Sequence, residues 1–418
     1  MIWFAAAASL LGAAVVPTAQ PHTYRLENGL QAVWEVSGAY DAVAIEFLCP
    51  NPADPSLSGL RPILVATLGA SAHRPGGAAE RVAARGGAIQ VTEDGGRIGL
   101  SAAGVAGSAP DLIAALTATV LQPPAGVLVG DGSLARRLDA MSGPMSLQAL
   151  AVRELLGPLW WPSPSEIRTT SLALDPTSLD AVREQWLCAR RAGVAIVTAD
   201  PSLSPDEALA PLAQLPPGQP VAAILPRSTS RAGQGASREE QRGQSVVSLA
   251  VAGPEPFSAA AATWRVAAEY LGAGNRSPLF AALRSEAALS YSTGCRWLDL
   301  EGGILWAEAH CDPGDEALVR ERMHQVIARE ASRRIGPGDL ERSRRWARVR
   351  WEKDLTAGAK RARLRAAAMA SGAGHHWPET FGMAIESVRP QDIRLVLETL
   401  SSEGVWFVIE SGPGEGRS

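Results

Sequence analysis

Hydrophobic and polar residues alternate in short runs along the chain, and turn-forming residues separate the runs. Residues 24–26 and 30–34 alternate on either side of Asn28-Gly29, a pair favoured in tight turns, so the pattern opens with a predicted hairpin. The periodicity then predicts elements in this order: strand 42–48, helix 57–69, strands 88–92 and 97–102, and helix 111–120.

The same order of elements recurs in the second half of the chain. The pattern predicts strand 245–251, helices 257–271 and 277–286, strands 289–297 and 304–310, and helix 315–332. An apolar strand closes each half, at 194–198 and at 405–409. This recurrence predicts a duplication. Strands with segregated helices predict an α+β fold, in which each half is a mainly antiparallel sheet covered on one face by helices.

Composition divides the chain into four parts. We predict a signal peptide at 1–19, a first α+β domain at 20–213, a linker at 214–244 and a second α+β domain at 245–418. The linker is rich in Pro, Gly and Ser. One short strand is predicted within it at 221–225, and residues 231–244 hold almost no apolar side chain. Such a composition cannot build a core and is typical of a flexible connection.

The first sixteen residues are small and apolar, and no Lys or Arg precedes Arg25. The run is shorter than the about 20 residues that span a bilayer, but it suits the apolar region of a secretory signal cleaved after Ala19. We therefore predict a periplasmic or secreted protein. Because the usual basic start is absent, an N-terminal helix in a cytoplasmic protein stays open as the alternative. The sequence holds no second run that predicts a membrane helix.

Charge and cysteine spacing exclude several classes of function. The net charge of −4 provides no general attraction to nucleic acid or anionic lipid. A helix predicted over about 340–365 is rich in Arg, but Leu340, Ala347 and Trp351 recur near helical spacing, so we interpret its charges as a solvated face. The cysteines at 49, 188, 295 and 311 match no zinc or redox motif. We predict buried free thiols; in an exported protein the four could instead pair in any of three connectivities, between which the sequence does not choose. His375-His376 is interpreted as a surface or capping pair.

One long string in the second half carries the most specific motif. RSPLFAALR at 276–284 runs into ALSYS at 288–292, and YLGAG at 270–274 precedes it. Together with LENGL at 26–30, this string resembles the insulinase, pitrilysin and mitochondrial-processing-peptidase family of zinc metallopeptidases. The resemblance covers about 24–411. It implies two α+β halves that contribute to a peptidase chamber.

In active members of that family, the first half supplies His-x-x-Glu-His on a helix and a more distant Glu. Two His at i and i+4 share one helical face and bind zinc, and the Glu activates bound water. The matching positions here are Pro62, Val65 and Ala66, and the segment 139–149, where the distant ligand would fall, contains no Glu. The resemblance therefore implies a chain without catalytic zinc.

The family's second half supplies an Arg/Tyr pair that contacts the bound peptide and helps to hold the scissile carbonyl. Here the pair is Arg284 and Tyr291. Arg offers several fixed N–H donors and the phenol is a further donor, so both suit a peptide backbone or a developing oxyanion. Outside this string, a surface Arg and a core Tyr would be the ordinary interpretation.

An empty zinc motif beside an intact Arg/Tyr pair is the pattern of a partner subunit. We therefore predict a non-catalytic, substrate-binding subunit of a heterodimeric zinc peptidase, with zinc in the partner and a peptide as substrate. The alternative is a degenerate scaffold subunit with no role in catalysis. An independent hydrolase is a third possibility, for which the sequence positions no site. The identity of the peptide and the choice between hetero- and homodimer are not encoded in these motifs.

Overall fold

The computed structural model describes residues 20–37, 42–50, 59–94, 96–122, 146–157, 162–173, 176–219, 236–240, 243–300 and 302–411. Within these ranges the chain forms two sheets, each packed against its own group of helices. The α+β fold class is thereby confirmed. The predicted signal peptide at 1–19 and the predicted strand at 221–225 lie outside the described residues.

The first sheet is mainly antiparallel, in the order β1-β2-β6-β3-β5-β4. Its strands are β1 (His22–Arg25), β2 (Gln31–Val36), β3 (Val43–Cys49), β4 (Ala88–Asp94), β5 (Arg97–Gly104) and β6 (Gly193–Thr198). The pair β2–β6 is parallel. The predicted hairpin joins β1 to β2, and Gly29 occupies its turn at φ 88°, a conformation that glycine adopts without steric cost.

The helices of the first half are α1 (Leu60–Ala72), α2 (Ala78–Ala83), α3 (Ala109–Leu121), α4 (Leu147–Leu156), α5 (Pro164–Ala173), α6 (Pro176–Trp186) and α7 (Pro205–Leu209). These helices, except α4, cover one face of the first sheet. Ser146 and Ser204 cap α4 and α7 by accepting a backbone N–H at the third helical position, as helix starts require. Except for α4, these helices pack around a core that the strands of the first sheet share.

The second sheet has five strands and repeats the order of the first from β2 onward, as β7-β11-β8-β10-β9. Its strands are β7 (Ala236–Glu240), β8 (Ser245–Ala252), β9 (Ser292–Leu298), β10 (Ile304–Cys311) and β11 (Val405–Ser411). Strand β7 pairs in parallel with β11, as β2 does with β6. The predicted linker therefore contains a strand of the second sheet, because backbone pairing with β11 does not require apolar side chains.

The helices of the second half are α8 (Ala260–Gly272), α9 (Pro278–Phe280), α10 (Glu316–Ser332), α11 (Pro337–Thr356), α12 (Gly358–Ala370), α13 (Trp377–Ser387) and α14 (Pro390–Glu403). A π-helix at Ala281–Glu286 continues α9. The prediction of one continuous helix over about 340–365 is wrong. This stretch divides into α11 and α12 because Ala357 is extended, at φ −80° and ψ 120°.

Each sheet also carries a helix from the other half on its second face. Side chains alternate along β6, so Val194 and Ile196 join the core of the first half while Ala195 and Val197 pack against α12. Helix α4 of the first half packs in the same way against β8 and β11. The structure thus adds a second helical layer to each predicted sheet, and this exchange joins the halves.

Buried charges reinforce the junction between the halves. Glu35 on β2 is 2% exposed and forms ion pairs with Arg361 at 2.8 Å and Arg365 at 2.7 Å, both on α12. From the first half, the guanidinium of Arg97 lies 5.0 Å from the ring centre of Phe257. Buried ion pairs tolerate little displacement, so these contacts fix the relative position of the two halves.

Candidate functional site

Helix α1 holds the positions of the absent zinc motif. Every residue of this helix except Val65 is buried. Pro62 and Ala66 are buried, while Val65 is partly buried and packs against the core of the first half. Proline, valine and alanine side chains carry no atom that can bind zinc or accept a proton. Apolar packing therefore replaces the metal-binding surface at these positions.

Arg61 precedes these positions and introduces a buried positive charge. Its side chain is fully buried, and its Nε and Nη2 atoms lie 2.7 and 2.6 Å from Oε1 of Glu93 on β4. A guanidinium is permanently charged and only donates hydrogen bonds. Arg61 therefore cannot bind a cation beside Pro62, and it engages the carboxylate of Glu93. The sequence analysis did not identify Arg61, although a single basic residue in an otherwise apolar helix could have indicated a buried ion pair.

The segment of the distant family ligand is only partly described. Residues 139–145 lie outside the described ranges, and residues 146–149 cap and begin α4, which packs on the second sheet. In the part of the chain that the structure describes, no three His, Cys, Asp or Glu side chains form a group that could hold a metal ion. The residues at the family position therefore do not fit zinc. The four cysteines are free and buried, as predicted.

A sharp helix-to-strand turn builds the second-half site. Ser277 accepts the N–H of Phe280 and caps α9, which widens into the π-helix. Ala288 then adopts φ 52°, and the N–H of Leu289 donates to the carbonyl of Leu283 over 2.8 Å. A left-handed Ala is strained, and such strain is often retained at functional sites.

This turn brings Arg284 and Tyr291 together. The guanidinium of Arg284 lies 5.8 Å from the ring centre of Phe280 and donates to the backbone carbonyl of Tyr291. The N–H of Tyr291 donates to the carbonyl of His310 over 3.0 Å. Tyr291 is 52% exposed, and Arg284 is also exposed. The ordinary interpretation of a core tyrosine is therefore excluded, and both side chains are accessible to a ligand.

A third residue, Asp312, completes the cluster. The phenol of Tyr291 lies 3.0 Å from each carboxylate oxygen of Asp312. The hydrogen bond to Asp312 and its negative charge raise the pKa of the Tyr291 phenol above its ordinary value. Sequence reasoning missed Asp312. The hairpin register was the available signal, because β10 pairs antiparallel with β9 and places the residue after β10 beside the residues before β9.

The exposed cluster presents groups that can bind a ligand. Arg284 offers N–H donors, Tyr291 offers a polar aromatic surface, and Asp312 offers a negative charge. Each of these groups suits hydrogen bonding to an extended backbone.

In the described ranges no helix has the length and apolar character needed to cross a membrane.

Comparison with family models identifies the part of the chain that contains this cluster. Residues 191–345 match the model described as the peptidase M16 inactive domain. The matched range begins just before β6 and includes Arg284, Tyr291 and Asp312. A comparison with curated proteins found no match.

Solved structures match the fold over nearly the whole chain. The peptidase M16 inactive domain from Pseudomonas fluorescens has a TM-score of 0.77 at 16% identity, covering 95% of this chain and all of that one. A protease from Helicobacter pylori has a TM-score of 0.76 at 12% identity, covering 94% of this chain and all of that one. A chain of complex III2 from Candida albicans has a TM-score of 0.76 at 13% identity, with coverage of 94% and 96%. At these identities the likeness concerns the fold.

Proposed function

We propose that this chain belongs to the M16 (insulinase and pitrilysin) peptidase family, lacks its zinc motif, and is the substrate-binding subunit of a heterodimeric zinc peptidase. The observation that supports the proposal is a contrast between the halves. The metal-motif helix is filled with apolar side chains and a buried Arg61, while Arg284 and Tyr291 are held together at the surface.

In the proposed complex, a homologous partner supplies the zinc and this chain supplies contacts to the peptide. The N–H groups of Arg284 suit a peptide carbonyl, and the ring of Tyr291 covers part of the backbone. Binding of this kind raises the rate only where it is stronger in the transition state than in the ground state. The proposal places the complex outside the cytoplasm, because residues 1–19 fit a secretory signal.

The test is co-expression with a homologue that carries His-x-x-Glu-His, followed by peptidase assays on the purified complex. We expect the double variant R284A/Y291F to lower kcat/KM by about tenfold to a hundredfold, because a hydrogen bond to a charged group contributes about 1.5–3 kcal/mol and each 1.4 kcal/mol is about a factor of ten in rate. Assembly, measured by size-exclusion chromatography with light scattering, should be unchanged. Arg296→Ala is the matched control, because Arg296 is an exposed arginine on β9 outside the cluster.

A scaffold subunit without a catalytic role is the second candidate. It is favoured by the likeness in fold to a chain of complex III2 from Candida albicans, a large assembly. Under this alternative the double variant would assemble and cleave peptides at the rate of the unaltered complex. That result would reject the substrate-binding role of Arg284 and Tyr291.

A further inference from the structure

Tyr291 is held by hydrogen bonds at its backbone and at its phenol, although it is 52% exposed. Its backbone N–H donates to His310, its carbonyl accepts from Arg284, and its phenol donates to Asp312. We propose that Asp312 is a positioning residue that makes the phenol of Tyr291 a hydrogen-bond acceptor for the N–H of an extended peptide. This inference rests on the proposed function and deepens it.

The proton count of the phenol supports this role. A phenol has one O–H donor, and an ionised carboxylate only accepts hydrogen bonds. With both oxygens of Asp312 at 3.0 Å, the single proton of Tyr291 points toward Asp312. The phenol oxygen then presents its lone pairs to the solvent side. In this arrangement it accepts a hydrogen bond, and it does not donate one to a carbonyl or an oxyanion.

Arg284 supplies the complementary donor. One of its N–H groups is used by the carbonyl of Tyr291, and a guanidinium has five N–H donors in all. A donor at Arg284 and an acceptor at Tyr291 match the C=O and N–H groups that alternate along an extended peptide. The predicted ligand is therefore an unfolded peptide that is recognised through its backbone. A proline should be disfavoured at the residue whose N–H meets Tyr291, because proline has no N–H.

The first experiment tests the geometry without a peptide. The chain contains four tyrosines, so the absorbance titration of wild type minus that of Tyr291→Phe isolates the Tyr291 phenol. We expect this phenol to ionise above its ordinary pKa of about 10, and to return toward that value in Asp312→Asn. An unchanged titration in Asp312→Asn would overturn the inference, because Asp312 would then not hold the phenol.

The second experiment measures binding of a fluorescently labelled, unstructured peptide to the purified full chain. Asp312→Ala and Tyr291→Phe should each weaken affinity by about fivefold, the effect of one hydrogen bond; alanine is used at 312 because an asparagine oxygen could still accept the phenol proton. The double variant should be no weaker than Tyr291→Phe alone, because Asp312 acts through the phenol. Glu286→Gln is the charge-matched control and should bind normally, since Glu286 is an exposed acid whose ion-pair partner is Arg322.

A set of peptides N-methylated at single positions provides a third readout. One position should weaken binding to wild type, and the same change should have no effect on Tyr291→Phe. If Asp312→Ala binds as wild type does, or weakens binding further in the Tyr291→Phe background, the positioning role is wrong while peptide binding stands. If Arg284→Ala and Tyr291→Phe both bind as wild type does, the proposed function itself is wrong.

Discussion

The turn that leads from a short helix into an edge strand occurs twice in this molecule, once in each half. In the first half it joins α2 to β4 through Gly86 at φ 75°, and the N–H of Gly87 donates to the carbonyl of Val82 over 3.0 Å. In the second half it joins the π-helix to β9 through Ala288 at φ 52°, with the matching bond from Leu289 to Leu283. The backbone reversal is alike in the two halves, although the second bond spans six residues and the first spans five.

The residues that follow the reversal differ. One residue, Gly87, separates Gly86 from β4, whereas three residues separate Ala288 from β9 and the last of them is Tyr291. The residue after the next strand is Val105 in the first half and Asp312 in the second. Both halves therefore share the turn. The second half differs in having two more residues between the turn and its strand, and Asp312 after the next strand, and these differences provide the exposed polar cluster.

The two halves also differ in how far their polar side chains are buried. In the first half the Arg61–Glu93 pair is largely buried, whereas in the second half Arg284, Tyr291 and Asp312 are exposed. Buried groups are fixed by packing and change stability when altered, while exposed groups change it little. Substitutions in the first half should therefore affect folding, and substitutions in the second half should affect binding.

The strongest test of this contrast restores the zinc motif in the first half. We expect P62H/V65E/A66H to lower the free energy of unfolding by about 4 kcal/mol or more, because larger polar side chains would enter a packed helix next to a buried guanidinium. The protein should still bind no stoichiometric zinc. Urea denaturation measures the first outcome and elemental analysis of the purified protein the second.

Val65→Glu alone is the control, because Val65 is the one residue of α1 that is only partly buried. It should cost about 1 kcal/mol, since its carboxylate can reach water. A triple variant that remains as stable as wild type and carries one zinc per chain would contradict our view of α1 as a filled site.

The regular elements could be predicted from sequence because their signals are local. Alternation along β8 and β10 and the Asn28-Gly29 turn depend on neighbouring residues, and all of them were found. Strand β7 was missed because residues 236–240 are polar and their pairing depends on β11, which lies far along the chain. The end of α11 was missed because no proline marks Ala357.

The candidate site was predictable only in part for the same reason. Pro62, Val65, Ala66, Arg284 and Tyr291 were found by identity within a motif. Glu93 as the partner of Arg61, and Asp312 as the partner of Tyr291, depend on contacts that span 32 and 21 positions. Contacts of this kind follow from the packing of helices on sheets and from strand register, which single positions do not encode.

Removing one charge from each half gives a second, smaller test. Glu93→Gln leaves the buried guanidinium of Arg61 beside a neutral amide, and should cost about 2 to 3 kcal/mol of unfolding free energy. Glu286→Gln removes an exposed partner of Arg322, 2.8 Å away with side chains 54% and 34% exposed, and should cost about 0.5 kcal/mol or less. Equal losses of unfolding free energy in the two variants, measured by urea denaturation, would show that burial of the ion pair does not determine the cost of removing its acid.

The smallest predicted effects exchange the residues at the two reversals. Gly86→Ala should cost about 1 kcal/mol, since an added methyl group meets no atom within 4 Å and only the left-handed backbone is strained. Ala288→Gly relieves that strain at an exposed position and should gain about 0.5 to 1 kcal/mol. Thermal and urea unfolding of both variants measure the pair, and a loss of stability in Ala288→Gly would contradict a strained turn. If peptide binding also weakens in the more stable Ala288→Gly variant, the strain at Ala288 is what holds Arg284 against Tyr291.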